Sequence, residues 1–217
     1  RARGDRLAAL LSPGGRRLAC GLLLLSPCVP LLFMGEEYGE TRPFPFFCSF
    51  DDPAVVEAVR RGRREEFVAA ALPPDRPLPD PQDPECFLAA TLEWAWPEDS
   101  PQAGLRRLYQ DLLAARRRWP SLRDRRRTAA RLLRAPDPAN RGGEPALLLL
   151  QRGGDDGLRA VANLTQQSVP RASVKLAGGE ILLSTEDARY GGSRPQDCGW
   201  EEILAHELLV FEAGGRQ

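Results

Sequence analysis

The sequence predicts an α/β domain followed by an all-β domain, and two observations support this division. Residues 31–34 form an unbroken apolar run after an apolar helix, which is typical of a strand buried on both faces of a parallel sheet. Beyond Leu122, short apolar or alternating runs recur with glycine-rich turns between them, which predicts an antiparallel β-sandwich. We place the boundary between the two domains within residues 120–134.

The α/β domain is predicted to contain three helices, each of which starts at a capping side chain followed by proline. The first follows Ser12 and is apolar on every side over residues 18–25, so we expect it to be covered all round. The second follows Asp52 and has an imperfect apolar face. The third follows Ser100, carries an amphipathic pattern of leucines and stops near Trp119.

The all-β domain is predicted from short apolar runs that are separated by turns. The predicted strands are residues 146–151, 158–164, 172–176, 180–184 and 208–212.

The composition indicates which partners and cofactors to expect. The 30 basic and 30 acidic residues cancel, so the net charge favours neither nucleic acid nor a membrane surface. The arginine runs at residues 116–118 and 125–127 could bind phosphate, but no aromatic residues are interleaved, and a solvated face is the simpler interpretation.

Five cysteines without a CxxC pair, with a single histidine, predict no zinc site and reduced thiols in a cytoplasmic protein. Residues 18–34 are too short and too interrupted by proline to span a membrane.

The residues that follow the predicted parallel strand are the most site-like in the chain. Glu36, Glu37, Tyr38 and Glu40 accompany two glycines at the place where parallel α/β folds position their sites. Side chains alternate along an extended segment, so Glu36 and Glu37 cannot easily flank one bond of a substrate. Backbone hydrogen bonding by these carboxylates remains an alternative to ligand contact.

Several segments of the sequence resemble the malto-oligosyltrehalose trehalohydrolases, a family of the α-amylase superfamily of glycoside hydrolases. They are residues 4–7, 24–27, 30–40, 43–44, 61–67, 80–84 and 108–112. The part that reads Phe-Met-Gly-Glu-Glu-Tyr-Gly is shared widely in the superfamily, whereas residues 61–67 and 80–84 together point to the trehalohydrolase branch. Cys48 and Ser49 stand where relatives tend to have Thr-Asp, so the resemblance does not by itself assign a substrate contact to this loop.

The resemblance implies both a fold and an activity. Residues 1–125 would be the last βα elements of a (β/α)8 barrel, and residues 126–217 a C-terminal β-sandwich. The enzyme would hydrolyse the α-1,4 bond next to the terminal trehalose of maltooligosyltrehalose with retention, which uses two carboxyl groups about 5 Å apart and no cofactor. In this superfamily the reacting carboxyls lie on earlier strands. We therefore expect a C-terminal fragment that is inactive without the N-terminal part of the same protein.

By the same resemblance, Glu37, Tyr38, Phe46 and Phe47 are expected to bind the substrate, and no catalytic residue is expected in this chain. Aromatic rings suit the C–H faces of glucose, although ordinary loop packing is the alternative for each phenylalanine. Two other functions stay open. One is a different α-glucan enzyme of the superfamily, such as a branching enzyme, and the other is a standalone sugar-binding or interaction module.

Overall fold

The chain divides into two compact units. The computed structural model describes residues 3–68, 78–133, 147–173, 179–195 and 199–212. The first unit comprises Arg1–Leu10 and Gly39–Ala95, and the second comprises Leu11–Tyr38 and Trp96–Gln217. The division into domains 1–125 and 126–217 stays a prediction.

The helices come first along the chain and the strands follow. The helices are α1 (Leu7–Leu10), α2 (Pro13–Leu25), α3 (Pro53–Val68), α4 (Pro84–Ala89), α5 (Pro101–Arg118) and α6 (Pro120–Arg123). The strands are β1 (Thr128–Leu133), β2 (Leu147–Arg152), β3 (Leu158–Asn163), β4 (Val169–Pro170), β5 (Ile181–Ser184), β6 (Glu202–Ile203) and β7 (Leu208–Glu212). Single 3-10 turns occur at Glu36–Tyr38, Arg171–Ser173 and Ala188–Tyr190.

The three predicted helices begin at their predicted caps. Ser12 Oγ accepts a hydrogen bond from a backbone amide in the first turn of α2 (3.1 Å), and Ser100 Oγ accepts one in the first turn of α5 (3.3 Å). Asp52 Oδ1 accepts one at the start of α3 (2.8 Å). These side chains satisfy amides that have no partner inside the helix, so local chemistry fixes the three starts.

The expectation that α2 is covered on all sides holds for one face only. Leu24 and Leu25 are fully buried, whereas Leu22 and Leu23 are half-buried. The buried face of α2 packs with α5 and with the sheet in one apolar core.

Five strands form one antiparallel sheet in the order β1-β2-β3-β7-β5. Because side chains alternate along a strand, the sheet contributes to two cores. One core joins it to α2 and α5 through residues such as Leu150 and Leu208. The other includes Val161 and Ile203 and reaches β4 and β6, which pair with each other. The predicted antiparallel sheet is therefore confirmed, while its arrangement as a sandwich stays a prediction.

Four of the five predicted strands correspond to β2, β3, β5 and β7. Of the fifth, residues 172–176, the beginning lies in the 3-10 turn Arg171–Ser173, and residues 174–176 lie outside the described residues. The structure adds β1, which pairs with β2 at the edge of the sheet.

The parallel strand predicted at residues 31–34 is wrong for this structure. The segment has no regular secondary structure before the turn Glu36–Tyr38. Leu31 is 89% exposed, and Phe33 and Met34 are 45% and 44% exposed. A strand needs hydrogen-bonding partners on a neighbouring strand, and no strand in the described ranges pairs with this segment. The apolar run therefore stays irregular.

Two buried ion pairs lie in the second unit. Arg17 of α2 pairs with Glu186 (2.6 Å; side chains 9% and 3% exposed), and Arg194 pairs with Glu207 (2.5 Å; 4% and 0% exposed). Ser184 links the pairs, because its hydroxyl donates to Glu207 (2.5 Å) and accepts from the Glu186 amide (3.0 Å). Each of these buried charges has an opposite partner, which makes its burial tolerable.

Candidate functional site

The site-like segment forms a tight turn rather than an extended chain. Glu36, Glu37 and Tyr38 make one 3-10 turn. Gly35 and Gly39 on either side have φ of 84° and 78°, in the left-handed region that favours glycine. The alternation of Glu36 and Glu37 that an extended segment would give is therefore not observed.

Glu36 stabilises this turn. Its Oε2 accepts a hydrogen bond from Phe33 N (3.1 Å), and its own amide donates to Phe33 O (2.9 Å). The carboxylate of Glu36 thus bonds to backbone, which is the alternative that the sequence left open. Glu37 is half-buried and keeps some of its surface exposed for a ligand.

Tyr38 supports the turn from within. It is 3% exposed, and its ring stacks on Trp96 with centroids 4.4 Å apart and planes at 25°. The Arg106 guanidinium lies 5.8 Å from the centroid of the Trp96 ring. A stacked aromatic pair contributes about 0.5–1.5 kcal/mol beyond the area that it buries. The pair therefore fixes the position of the turn and, with it, of Glu37.

Cys20 of α2 and Tyr109 of α5 form a buried polar pair joined by a side-chain hydrogen bond. Burial raises the pKa of the Cys20 thiol well above its usual value, and the opposing effect of the Tyr109 hydrogen bond is smaller. Burial also raises the pKa of the Tyr109 hydroxyl, and the neighbouring Cys20 and Glu36 raise it further. Both groups stay neutral near pH 7, so neither supplies an anionic nucleophile.

Three arginines hold the end of α2, from which the chain leads into this turn. The carbonyls of residues 24–28 each accept a hydrogen bond from an arginine. Arg116 of α5 donates to three of them (2.5, 2.9 and 3.0 Å), Arg125 to one (2.9 Å), and Arg152 at the end of β2 to one. The last carbonyls of a helix lack partners within it and carry partial negative charge. This arginine clamp satisfies them and fixes the start of the segment that follows.

In the first unit, Phe46 and Phe47 keep large exposed surfaces of 48% and 37%. The Arg63 guanidinium of α3 lies 4.9 Å from the Phe46 ring centroid and 4.4 Å from that of Phe67. The ring of Phe47 lies 5.8 Å from that of Phe87. Each ring is thus supported by a neighbour while part of it remains exposed, an arrangement that can receive the C–H face of a sugar.

Glu40 precedes Phe46 and Phe47 in the chain, and its carboxylate holds the backbone around it. Its Oε1 accepts from the amides of Thr41 and Arg42 (both 2.9 Å) and its Oε2 from the amide of Glu93 (3.0 Å). Burial raises the pKa of the Glu40 carboxyl, but the three backbone hydrogen bonds and the charge of Arg42 outweigh burial and lower the pKa. Glu40 is therefore an ionised structural carboxylate rather than a proton donor.

The four residues predicted to bind substrate fall into two groups. Glu37 and Tyr38 share a turn of the second unit, and Phe46 and Phe47 are neighbours in the first unit. Sequence reasoning missed the contacts of Arg63 and Trp96 with these residues, because both contacts join distant positions that no local pattern reports.

Within the described ranges, no cluster of three or more His, Cys, Asp or Glu side chains could hold a metal ion. No helix among the described residues is long and apolar enough to cross a membrane. Cys20, Cys28, Cys48 and Cys86 are free thiols.

Several malto-oligosyltrehalose trehalohydrolases are similar to this chain in sequence. No protein-family model matches the chain. A malto-oligosyltrehalose trehalohydrolase of Rhizobium sp. is 38% identical over 188 residues, which cover 87% of this chain and 29% of the relative. That of Arthrobacter ramosus is 46% identical over 120 residues, which cover 55% of this chain and 21% of the relative. The chain is homologous to the malto-oligosyltrehalose trehalohydrolases.

The chain spans 21–29% of the length of these two trehalohydrolases. Among solved structures, a Salmonella typhimurium protein described as a candidate α-amylase superposes with a TM-score of 0.73 and 28% identity, covering 99% of this chain and 33% of that protein. A trehalulose synthase variant superposes with a TM-score of 0.52 at 15% identity, covering 98% of this chain and 42% of that one, which shows the fold alone. The structural neighbours are thus α-amylase family enzymes, and the antiparallel sheet is consistent with a C-terminal β domain.

Proposed function

We propose that this chain is the C-terminal part of a glycoside hydrolase that cleaves the α-1,4-glucosidic bond next to the terminal trehalose of maltooligosyltrehalose and releases trehalose. The observation that carries the proposal is the 38% identity to the Rhizobium trehalohydrolase over 87% of this chain. Because that identity extends over most of the chain rather than over one motif, it supports a shared function more strongly than the widely distributed Gly-Glu-Glu-Tyr-Gly segment does.

We assign residues 1–125 to the end of a (β/α)8 barrel and residues 126–217 to a β-sandwich. The likeness to the Salmonella structure over 99% of this chain supports the assignment. Exposed apolar side chains support it as well, since Val29 is 73% and Leu31 is 89% exposed. Neighbouring apolar side chains that stay exposed are typical of surfaces that other parts of a protein cover.

Retaining hydrolysis needs one ionised carboxylate as nucleophile and one protonated carboxyl as acid, about 5 Å apart. Glu36 and Glu40 suit neither role, because both bond to backbone amides and the pKa of Glu40 is lowered. By the resemblance to the superfamily, and because the chain spans only 21–29% of two trehalohydrolases, the reacting carboxyls are proposed to lie in segments that precede this chain in the full-length protein. The reaction consumes only water and uses side-chain acids and bases, so it needs no cofactor.

Glu37, Tyr38, Phe46 and Phe47 are proposed to bind the sugar chain. The partly exposed Glu37 would accept hydrogen bonds from sugar hydroxyls, and the exposed ring surfaces of Phe46 and Phe47 would pack against C–H faces. Tyr38 is 3% exposed, so its main contribution would come through the stack with Trp96 that holds Glu37 in place.

A cytoplasmic location is part of the same proposal. The free thiols of Cys20, Cys28, Cys48 and Cys86 support it, because cysteines of proteins in oxidising compartments are commonly joined in disulfides.

The test is release of trehalose from maltotriosyltrehalose by the full-length protein, with the 217-residue chain alone as control. We expect release by the full-length protein, with the α-anomer of the shortened oligosaccharide formed first, and no release by the control. Formation of α-1,6 branches without trehalose would reject the proposed function in favour of a branching enzyme. Turnover by residues 1–217 alone would reject the position proposed for the reacting carboxyls.

A further inference from the structure

A cavity of about 220 Å³ lies along the second half of α5, within the second unit. Its walls include Asp111, Ala114, Arg118, Trp119, Leu182 and Arg189. The cavity brings together apolar and charged side chains from α5, from β5 and from the turn Ala188–Tyr190, and none of these residues takes part in the site described above.

One wall of the cavity is apolar. Trp119 and Leu182 are half-buried and pack against the main core, so their positions are fixed by the fold. Ala114 keeps the adjoining helical surface small and apolar. An indole beside aliphatic carbon is the kind of surface to which the C–H face of a sugar ring binds.

The polar rim is held in place before any ligand binds. Asp111 Oδ2 accepts a hydrogen bond from the Tyr190 hydroxyl (2.7 Å) and pairs with Arg189 Nη2 (3.2 Å). The Arg189 guanidinium lies 4.5 Å from the centroid of the Tyr190 ring, and Arg107 donates to the Arg189 carbonyl. Polar groups that are already oriented lose less conformational entropy on binding, which favours affinity.

The close approach of two backbones maintains this rim. Gly104 of α5 lies against the turn Ala188–Tyr190, and a Cβ at position 104 would come within 2.7 Å of the Tyr190 carbonyl oxygen. Glycine at this position therefore allows the turn, and Arg189 with it, to pack directly on the helix.

We propose that this cavity binds one glucose unit of an α-glucan chain. The apolar wall would take the C–H face, Asp111 would accept from a hydroxyl, and Arg118 and Arg189 would donate to hydroxyl oxygens. A volume of about 220 Å³ suits a single ring rather than a drug-sized molecule. The choice of an α-glucan rests on the proposed function, whereas the sugar-binding chemistry rests on the cavity itself.

The experiment is retention of the full-length protein on an amylopectin gel in native affinity electrophoresis. We expect Arg118→Ala to weaken retention about threefold to tenfold, the effect of losing one or two hydrogen bonds. Arg117→Ala is the matched control, because it removes the same charge from the neighbouring exposed position outside the cavity lining, and we expect retention to be unchanged. Asp111→Asn keeps the shape of the side chain and should also weaken retention.

Equal retention of the Arg118→Ala and Arg117→Ala variants would overturn the inference, and so would absence of retention in the wild-type protein. Thermal melting of each variant checks that the fold is intact. Trehalose release by the wild-type protein is measured separately. Retention that depends on Arg118 without trehalose release would reject the proposed function and leave the sugar-binding cavity supported.

Discussion

The two compact units contain similar helices that are stabilised in different ways. In the second unit, α5 buries Leu105, Leu108 and Leu112 in the main core. In the first unit, α3 has a comparable length, 16 residues against 18, and a similar start, yet none of its described side chains is fully buried. A capped amphipathic helix therefore specifies its own beginning, whereas its burial depends on partners from elsewhere in the chain.

Polar and aromatic surface contacts dominate the first unit instead. The unit buries few described residues, and none of them is a large apolar side chain: Arg6, Ala8, Gly39, Glu40, Pro45, Pro81 and Cys86. An exposed pair such as Arg60–Asp80 (2.7 Å; side chains 35% and 43% exposed) contributes little to stability, because water and salt screen its charges. We therefore expect the same kind of substitution to cost more in the second unit than in the first.

The largest difference is expected for ion pairs. Glu207→Ala leaves the buried Arg194 without its carboxylate and removes the acceptor of the Leu204 amide, so the free energy of local opening should fall by about 3–5 kcal/mol. In α3, Glu57→Ala breaks a pair with Arg64 in which both side chains are 58% exposed, and it should cost less than about 1 kcal/mol. Amide hydrogen exchange of β7 and α3 in the full-length protein measures both values. Similar values for the two variants would contradict the comparison.

Core truncation should give the next largest difference. Leu112 is fully buried, and Leu112→Ala should lower the free energy of opening of α5 by about 2–5 kcal/mol through lost burial and a residual cavity. Val55 of α3 is 39% exposed, and Val55→Ala should change stability by about 0.5 kcal/mol or less. Hydrogen exchange of each helix provides the measurement. A large effect of Val55→Ala would mean that α3 is covered in the full-length protein.

Acid should weaken the first unit at Glu40. The pKa of this carboxyl is lowered in the fold, so its contribution is complete above the unfolded-state pKa of about 4.5 and is lost as the pH falls through the lower folded value. Protection of the Thr41, Arg42 and Glu93 amides against exchange should decline over that acidic range. Glu40→Gln should cost about 1.5–3 kcal/mol at neutral pH and abolish this pH dependence. If the dependence persisted in Glu40→Gln, another group would be responsible.

The smallest expected effect concerns the cation–π contacts of Arg63 with Phe46 and Phe67. Arg63→Ala should destabilise α3 by about 0.5–1 kcal/mol, the usual value for such contacts at exposed sites. Arg61→Ala removes the same charge from an exposed position two residues earlier in α3 and should have no comparable effect. Hydrogen exchange of α3 distinguishes the two variants, and equal losses would show that net charge, not ring contact, matters.

Local chemistry made part of the fold predictable. The starts of α2, α3 and α5 follow from Ser12, Asp52 and Ser100, because each cap acts within its own first turn. The strand predicted at residues 31–34 failed, because a strand is completed by hydrogen bonds to another strand and the described chain provides none for it. Alternation nevertheless identified most strands of the antiparallel sheet, since their partners lie within this chain.

The sequence predicted where the candidate site lies in the chain, but not which side chains contact one another there. Glycines and carboxylates marked the turn Glu36–Tyr38, yet the burial of Tyr38 depends on Trp96, and the support of Phe46 depends on Arg63. Contacts between distant positions are set by the whole fold, so one sequence read alone does not reveal them.

The arginine clamp has a consequence for the order of folding. The carbonyls at the end of α2 accept hydrogen bonds from Arg116, Arg125 and Arg152. The ribosome adds these arginines roughly 90 to 130 residues after the carbonyls that they bond. Until then water must solvate these carbonyls, and the end of the helix can fray. The end of α2 is therefore fully hydrogen-bonded only once β2 has packed against it, so α2 and β2 become stable together.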